Sequence, residues 1–472
     1  MVNILRFIKK NKIEIFLFLF SIALVAKSLN FPFYWDNIVQ ISIPANWYFD
    51  TNFENFFVPD MIATGHPTFV AIYFALLWKL FGHTLLITHI SMFPFVFGLT
   101  LQINKLIKNL NIGTNLRAII LGFVLIDTTL LSQMSLITFD IIHLFFYFLC
   151  INSILNNKKT LLNIAFLCLV LISLRATISG AGIILFHVIY DYYKTRNFIL
   201  KRYTCYLIGL IGILTFLLTF YLEKGWIVHN TVSNNWKESA EYASPTEALR
   251  NIGLFIWRLI DFGRVIIFII FAFFILKILK TRHFESKTLR TLFLIILAQF
   301  IVFFPTIIIY RNPFGHRYLI PIIIPVIILT IVWVSNFKTG KKLIFVLTFI
   351  SLVSGHFWLY PKKIAQGWDA STLHWNYYHV RHKMLSYLKD NNIEIKKIGS
   401  FFPNTSSLKY IDLNSSDIRF KHADLRQDTL ILYSNTFNVE DKFIDTLLNK
   451  NKWKVIKEFQ LNRIYLKLFK KL

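Results

Sequence analysis

Four residue types at the ends of long apolar runs carry the chemistry this chain can offer. Asp36 stands in Phe31-Pro-Phe-Tyr-Trp-Asp-Asn37, directly after the first such run. An ionised carboxylate at the edge of a bilayer is costly to keep and marks a candidate functional site. His66-Pro67 opens a later apolar run, Asp127 lies inside the third spanning run, and Asp140 opens the fourth. Arg175, in Leu174-Arg-Ala-Thr-Ile-Ser-Gly180, is expected to end the fifth. Trp257, Arg258, Asp261 and Arg264 fall in the eighth, and Arg311, His316 and Arg317 surround the loop before the tenth. Arginines at headgroup depth suit a lipid phosphate, which a guanidinium can hold through two charge-assisted bonds. A neighbouring carboxylate can take the proton of an attacking hydroxyl. Together they suit transfer of a group from a lipid-linked phosphate to an acceptor outside the membrane, with the arginines stabilising the leaving phosphate.

Each residue also has a plain structural reading. Asp36 can cap a following helix. His66-Pro67 after Gly65 suits a helix start, as does Asp140 after Thr138. Arg175 and Arg317 can reach for headgroups, and Asp261 can pair with Arg258 or Arg264 one turn away. Asp127 resists such a reading, because it does not sit at the end of a run. The functional case rests on acids and arginines sharing one face.

The elements that must position them are membrane helices. The chain has 472 residues, 55% hydrophobic and 17% aromatic, with a mean hydropathy of +0.54. That composition belongs to a polytopic α-helical membrane protein. The net charge of +26 does not indicate nucleic acid, since the Lys and Arg lie between apolar spans, where they set topology. Cys150, Cys168 and Cys205 lie inside apolar runs and read as small buried hydrophobes, not disulfides or metal ligands. The basic stretch 1–10 reads as the start of an uncleaved signal anchor.

Runs of spanning length fall near 13–30, 84–104, 117–135, 139–156, 160–177, 179–193, 203–222, 254–278, 291–310, 317–336 and 343–359. The run 66–82 is ambiguous. If it stays on the outer side, the basic connections at Lys105–Arg117, Lys158/Lys159, Lys194–Arg202, Lys277–Arg290 and Lys338–Lys342 all join the N-terminus in the cytoplasm. Positive-inside bias thus selects about eleven spans plus one non-crossing outer-face helix. Segments 31–83, 223–253, 310–316 and everything from about 360 then lie outside. The last segment changes composition and reads as a small C-terminal α/β domain over 360–472, with a helix at 373–389, strands at 395–402, 429–434 and 453–459, a helix at 439–450 and a last strand near 464–469. Absence of a Walker-type glycine loop argues against ATP or a soluble activated sugar, and no His-Glu-x-x-His spacing occurs.

With these residues in view, the chain resembles the GT-C membrane glycosyltransferases, especially the protein O-mannosyltransferases and lipid A aminoarabinose transferases. The likeness is carried by Trp35-Asp36-Asn37 with His66-Pro67 and Leu80-Phe81-Gly82, by Leu125-Ile-Asp127 through Leu131-Ser-Gln133 to Phe139-Asp140, and by Gly315-His-Arg-Tyr318 leading to Pro321 and Pro325. It covers roughly residues 1–360. It implies a polyprenyl-phosphate sugar donor, an inverting single displacement and a site facing the periplasm or exterior of a bacterial inner (cell) membrane. By residue match, Asp36 and Asp140 would be catalytic, and His66, Arg175 and Arg317 would bind the lipid phosphate. Asn37, Asp127, Arg311 and His316 would support them. Some members use a divalent metal in the first outer loop. Here Asn37 replaces the second acid of the usual Asp-Glu pair and Thr68 replaces a second Pro, so no metal is assumed. A transporter or flippase of lipid-linked glycans is the alternative, and a non-catalytic envelope scaffold a third. The one-sided polar cluster and the lack of internal repeats disfavour transport.

Overall fold

The computed structural model describes residues 11–228, 230, 241–311, 315–361, 364, 366–414 and 416–472. The basic N-terminal stretch, the middle of the 223–253 loop and the tip of the 310–316 loop lie outside the described residues.

Apolar composition makes helices here because membrane interiors leave backbone groups no other partner. Helix α1 (Lys12–Ser28) leads through a loop to a five-residue π-helical turn (Ile38–Ser42) and α2 (Ile43–Asp50). Then come α3 (Phe69–Phe81), α4 (Leu85–Asn109), α5 (Thr114–Leu125), α6 (Thr128–Met134), α7 (Phe139–Leu155), α8 (Lys159–Val170) and α9 (Leu174–Thr195). A 3-10 segment (Leu200–Tyr206) runs into α10 (Leu207–Lys224). Helices α11 (Pro245–Ile260), α12 (Val265–Thr281) and α13 (Lys287–Ile309) follow, then a 3-10 turn (His316–Leu319) opening α14 (Ile320–Ser335), and α15 (Lys341–Ser354).

The chain is an integral membrane protein. Four helical stretches are long and apolar enough to cross a bilayer on their own: Leu85–Asn109, Leu200–Lys224, Lys287–Ile309 and His316–Ser335. The expectation of about eleven spans is met only in part, because several runs that look continuous are divided. Helices α5 and α6 meet at a 75° bend, and α11 and α12 at 109°. The second bend turns on Phe262 and Gly263 at φ 51° and 82°. Gly263 is required there, since a Cβ would lie 2.0 Å from the Ser351 carbonyl oxygen. At 13 residues, α3 is about 20 Å long, shorter than a hydrocarbon core of roughly 30 Å. The run 160–177 also divides: the Ser173 hydroxyl accepts from Ala176 N and starts α9. Arg175 therefore opens a helix instead of ending one.

Helix α14 is the axis of the bundle. Every residue from Ile320 to Val334 is buried, with α5, α12 and α13 packed around it.

Beyond α15, helix α16 (His374–Asp390) packs on a five-stranded sheet. Its strands are β1 (Gly399–Ser400), β2 (Lys421–His422), β3 (Leu430–Ser434), β4 (Trp453–Leu461) and β5 (Ile464–Lys471), in the order β2-β1-β3-β5-β4. Short helices α17 (Leu408–Ile411) and α18 (Asp441–Leu447) complete it. β1 pairs in parallel with β2 and β3, while β3–β5 and β4–β5 are antiparallel. The expected strand at 395–402 is mostly a 3-10 turn (Ile395–Lys397) with only two paired residues. The sheet region is clamped to the segment after α1: Phe33 N donates to Ile411 O at 2.9 Å, Ser42 Oγ to Tyr410 O at 2.6 Å, and Lys409 pairs with Asp50 at 2.6 Å.

Candidate active site

Several helix ends and turns bring charge to one place. Asp36 sits just before the π-helical turn, after Trp35, whose φ of 49° is uncommon for a non-glycine residue. That conformation is held by the Trp35 ring against Phe402 and by backbone bonds Asn37 N→Tyr34 O and Ile38 N→Trp35 O. The carboxylate does not cap the turn; it turns to Arg317. Arg317 lies in the 3-10 turn that opens α14, with only 5% of its side chain exposed. Its Nη2 donates to Asp36 at 2.5 Å and to the Tyr318 hydroxyl at 2.8 Å. Its Nε lies 3.4 Å from Asp140, and Nη1 donates to Asp369.

Asp140 is in the first turn of α7, where the Thr138 hydroxyl accepts from Asp140 N at 3.2 Å and donates to its carboxylate at 3.0 Å. Arg175, in the first turn of α9, reaches the same carboxylate at 3.5 Å. The Tyr318 ring stands against both guanidiniums, with centroid distances of 3.0 Å to Arg175 and 4.9 Å to Arg317. Three carboxylates thus face two guanidiniums, an excess of one negative charge. His66 borders the group: burial, with the Arg175 charge and against the pull of Asp140, lowers its pKa to about 3. Its Nδ1 is shielded from solvent and bonds to no protein group among those described.

Of the expected site residues, Asp36, Asp140, Arg175 and Arg317 come together, with His66 beside them and Asn37 buried in the same turn. The other three join different groups. Asp127 receives a two-point bond from Arg264, at 2.6 and 3.0 Å, with both side chains almost fully buried. His316 is 2.6 Å from Asp261, which also accepts from the Tyr360 hydroxyl. Arg311 pairs with Glu241 at 2.6 Å and Glu247 at 3.1 Å. The local pairing expected of Asp261 with Arg258 or Arg264 does not form. Asp261 ends α11 with ψ 166°, so the bend takes it off the helical repeat.

Asp369 and Tyr318 were not foreseen. Asp369 lies in a 3-10 turn (Trp368–Ala370), and its carbonyl accepts from Ser132 Oγ at 2.6 Å and Gln133 Nε2 at 2.8 Å, which ties the turn to α6. The signal was the repeated dipeptide: Trp368-Asp369 echoes Trp35-Asp36. Among the described residues no three His, Cys, Asp or Glu side chains converge as metal ligands. A guanidinium, not an open centre, stands among the three carboxylates, so this arrangement does not fit a divalent ion.

This set of helix-end charges around one arginine can be compared with known architectures. No family model and no curated protein matches the chain. Solved structures do. The chain is similar in fold to ArnT from Cupriavidus metallidurans. The structure of ArnT bound to undecaprenyl phosphate matches with a TM-score of 0.54 and 9% identity, covering 97% of this chain and 98% of that one. The apo state matches with a TM-score of 0.53 and 10% identity, over 96% and 97%. The resemblance to the lipid A aminoarabinose transferases of the GT-C fold thus extends to the architecture of nearly the whole chain. At these identities it establishes fold.

Proposed function

We propose that this chain is an inverting glycosyltransferase that moves a sugar from a polyprenyl-phosphate donor to an acceptor outside the cytoplasmic membrane. The observation that carries this reading is the buried Arg317 shared by Asp36, Asp140 and Asp369, with Arg175 on the far side of Asp140. The ArnT structure with undecaprenyl phosphate shows that this fold can hold such a lipid.

The carboxylates occupy guanidinium positions that an anionic donor would claim. When the donor phosphate takes the outer faces of Arg317 and Arg175, Asp36 is released from its ion pair. One of its oxygens then accepts the proton of the acceptor hydroxyl as the hydroxyl oxygen bonds to the anomeric carbon. The anomeric C–O bond to phosphate breaks, and the electron pair leaves with the polyprenyl phosphate, whose charge the two arginines stabilise. His66 donates a ring N–H to the phosphate from the side. The sugar inverts because attack and departure lie on opposite faces. Membranes holding the protein, given radiolabelled polyprenyl-phosphate sugar, should release polyprenyl phosphate and label an acceptor. Full transfer by Asp36→Asn would remove the basis for this assignment.

A further inference from the structure

The residues around Asp36 are divided between two cores. Phe33 and Ile38 pack in the core of the helical bundle. Tyr34, fully buried between them in sequence, packs in the core of the C-terminal domain, with Phe31 and Trp35 against it. The domain has a seat for it. His374, Tyr377 and Tyr378 stand three and four apart at the start of α16 and so share a face. The Tyr34 ring stacks on His374 with centroids 5.6 Å apart, and meets Tyr378 at 5.4 Å and Tyr377 at 5.8 Å. The His374 ring is itself fixed, its Nδ1 donating to Ser371 O at 2.5 Å.

The sheet supplies the rest. Tyr34 reaches the side chain of Thr436, just past the end of β3. The Trp35 ring meets Phe402, just past the end of β1, at 5.5 Å, and Phe402 packs in turn against the bundle core. β1 lies between β2 and β3 and runs parallel to both, so the strand order reverses between β1 and β3. Open α/β sheets take ligands outside the carboxyl ends of their strands at such a point. Here the chain's own Tyr34 and Trp35 are inserted there. The grip falls on a strained residue: Trp35 holds φ 49°, which a bulky side chain keeps only where its surroundings over-determine it. Asp36 comes next, with its carboxylate on Arg317. Asp369, the third carboxylate on Arg317, precedes the seat on the same stretch of chain. Arg317, Arg175 and His66 are not part of the seat.

We propose that the C-terminal domain completes the active site: it grips Tyr34 and Trp35 so that the left-handed turn at Trp35 presents the Asp36 carboxylate. Tyr34, Trp35 and Phe402 are then positioning residues, acting through Asp36. The inference rests on the reading of Asp36 as the base of a transferase.

The test measures transfer turnover and undecaprenyl-phosphate affinity on full-chain variants. A reacting group misplaced by about 1 Å can cost about 10²-fold in rate. A β-branched residue resists positive φ, so Trp35→Val should lower kcat about 30-fold. Lipid affinity should stay within about threefold of the parent, since the phosphate-binding cations are untouched. Trp35→Asn loses the same ring but tolerates the left-handed region, and should keep about five times the turnover of Trp35→Val. A residue needed only for burial would rank the other way, because Val is the more apolar. Phe402→Ala should lower kcat about tenfold. Lys409→Met, which removes the domain's clamp on Asp50, should lower it less than about twofold. In an Asp36→Asn background Trp35→Val should cost less than about threefold, because no base is left to misplace. An equal cost in both backgrounds, Val outperforming Asn, a Lys409→Met loss as large as that of Phe402→Ala, or loss of lipid binding by the Trp35 variants would each overturn the inference and leave the transferase reading standing. Full transfer by Asp36→Asn, or no transfer by the parent, would overturn that reading and this inference with it.

Discussion

Replacing Arg317 with Met separates the structural from the functional role of the central charge. The guanidinium faces Asp36, Asp140 and Asp369, and the second cation of the cluster is Arg175, 3.5 Å from Asp140. Without Arg317, three carboxylates face one guanidinium, and the excess rises from one negative charge to two. Two unit charges 4 Å apart interact by about 4 kcal/mol at an effective dielectric of 20. Breaking a buried pair from one side typically costs about 3–5 kcal/mol. Asp36 and Asp369 keep 24% and 18% of their side chains exposed, so water screens part of this. A destabilisation of about 3 kcal/mol is expected. The second variant Arg317→Met/Asp369→Asn returns the excess to one charge and should recover more than half of the lost stability. It should not recover binding of undecaprenyl phosphate, since the cation that would receive the phosphate is still missing. Arg317→Lys keeps the charge but not the planar fork, and donor affinity should fall about tenfold or more. Stability is read from tryptophan fluorescence during thermal unfolding at fixed scan rate, and affinity from undecaprenyl-phosphate titration. If Arg317→Met binds the lipid within threefold of the parent, or the double variant is no more stable than the single, the reasoning is wrong.

Asp36→Asn should lower transfer by about 10²–10⁴-fold while undecaprenyl-phosphate binding is no weaker than in the parent, because a competing carboxylate has left Arg317, checked by turnover and titration on one preparation. Arg264→Gln strands the buried Asp127 carboxylate and should cost about 3–5 kcal/mol, whereas Arg264→Gln/Asp127→Asn should cost less than Arg264→Gln alone; unfolding of the cycle's members tests this coupling. His66 titrates at about 3 in the folded chain against an ordinary 6.5, so its contribution is fully present above 6.5 and is lost as pH falls from there toward 3. The unfolding temperature should therefore fall more steeply between pH 7 and 4 in the parent than in His66→Gln. Gly263→Ala forces a side chain into φ 82° and onto the Ser351 carbonyl, and should cost about 2 kcal/mol or more by thermal unfolding.

Much of the site was legible because helix ends alternate between two faces, and basic connections mark one of them. Asp36 after α1, Asp140 opening α7, and Arg317 leading into α14 all fall on the other. Arg175 reached that face by a different route from the one expected, as the opening of α9 after a Ser173 cap. Adjacent residues were harder to place. His316 and Arg317 share a 3-10 turn, where side chains are about 120° apart. One therefore reaches Asp261 and the other Asp36, a divergence that spacing alone does not resolve. Asp369 came to Arg317 only through the fold-back of the chain beyond the last apolar run, a long-range pairing no local pattern records.

The two bends were illegible for a related reason. Runs 117–135 and 254–278 are continuous in hydropathy, and a hydropathy window is blind to direction. Both breaks carry a charge, however, and the two charges belong together. Asp127 caps α6 by accepting from Leu130 N at 2.9 Å, and Arg264 stands at the start of α12. Their two-point bond joins one bend to the other across 137 residues. A lone buried carboxylate inside an apolar run would be costly, so Asp127 required a cation at the same depth. The run 254–278 holds two cations near its break, Arg258 and Arg264, and Arg264 is the one that reaches Asp127. Two opposite charges in separate apolar runs imply a pair, and a pair with both partners at helix starts implies that each run is broken where its charge stands.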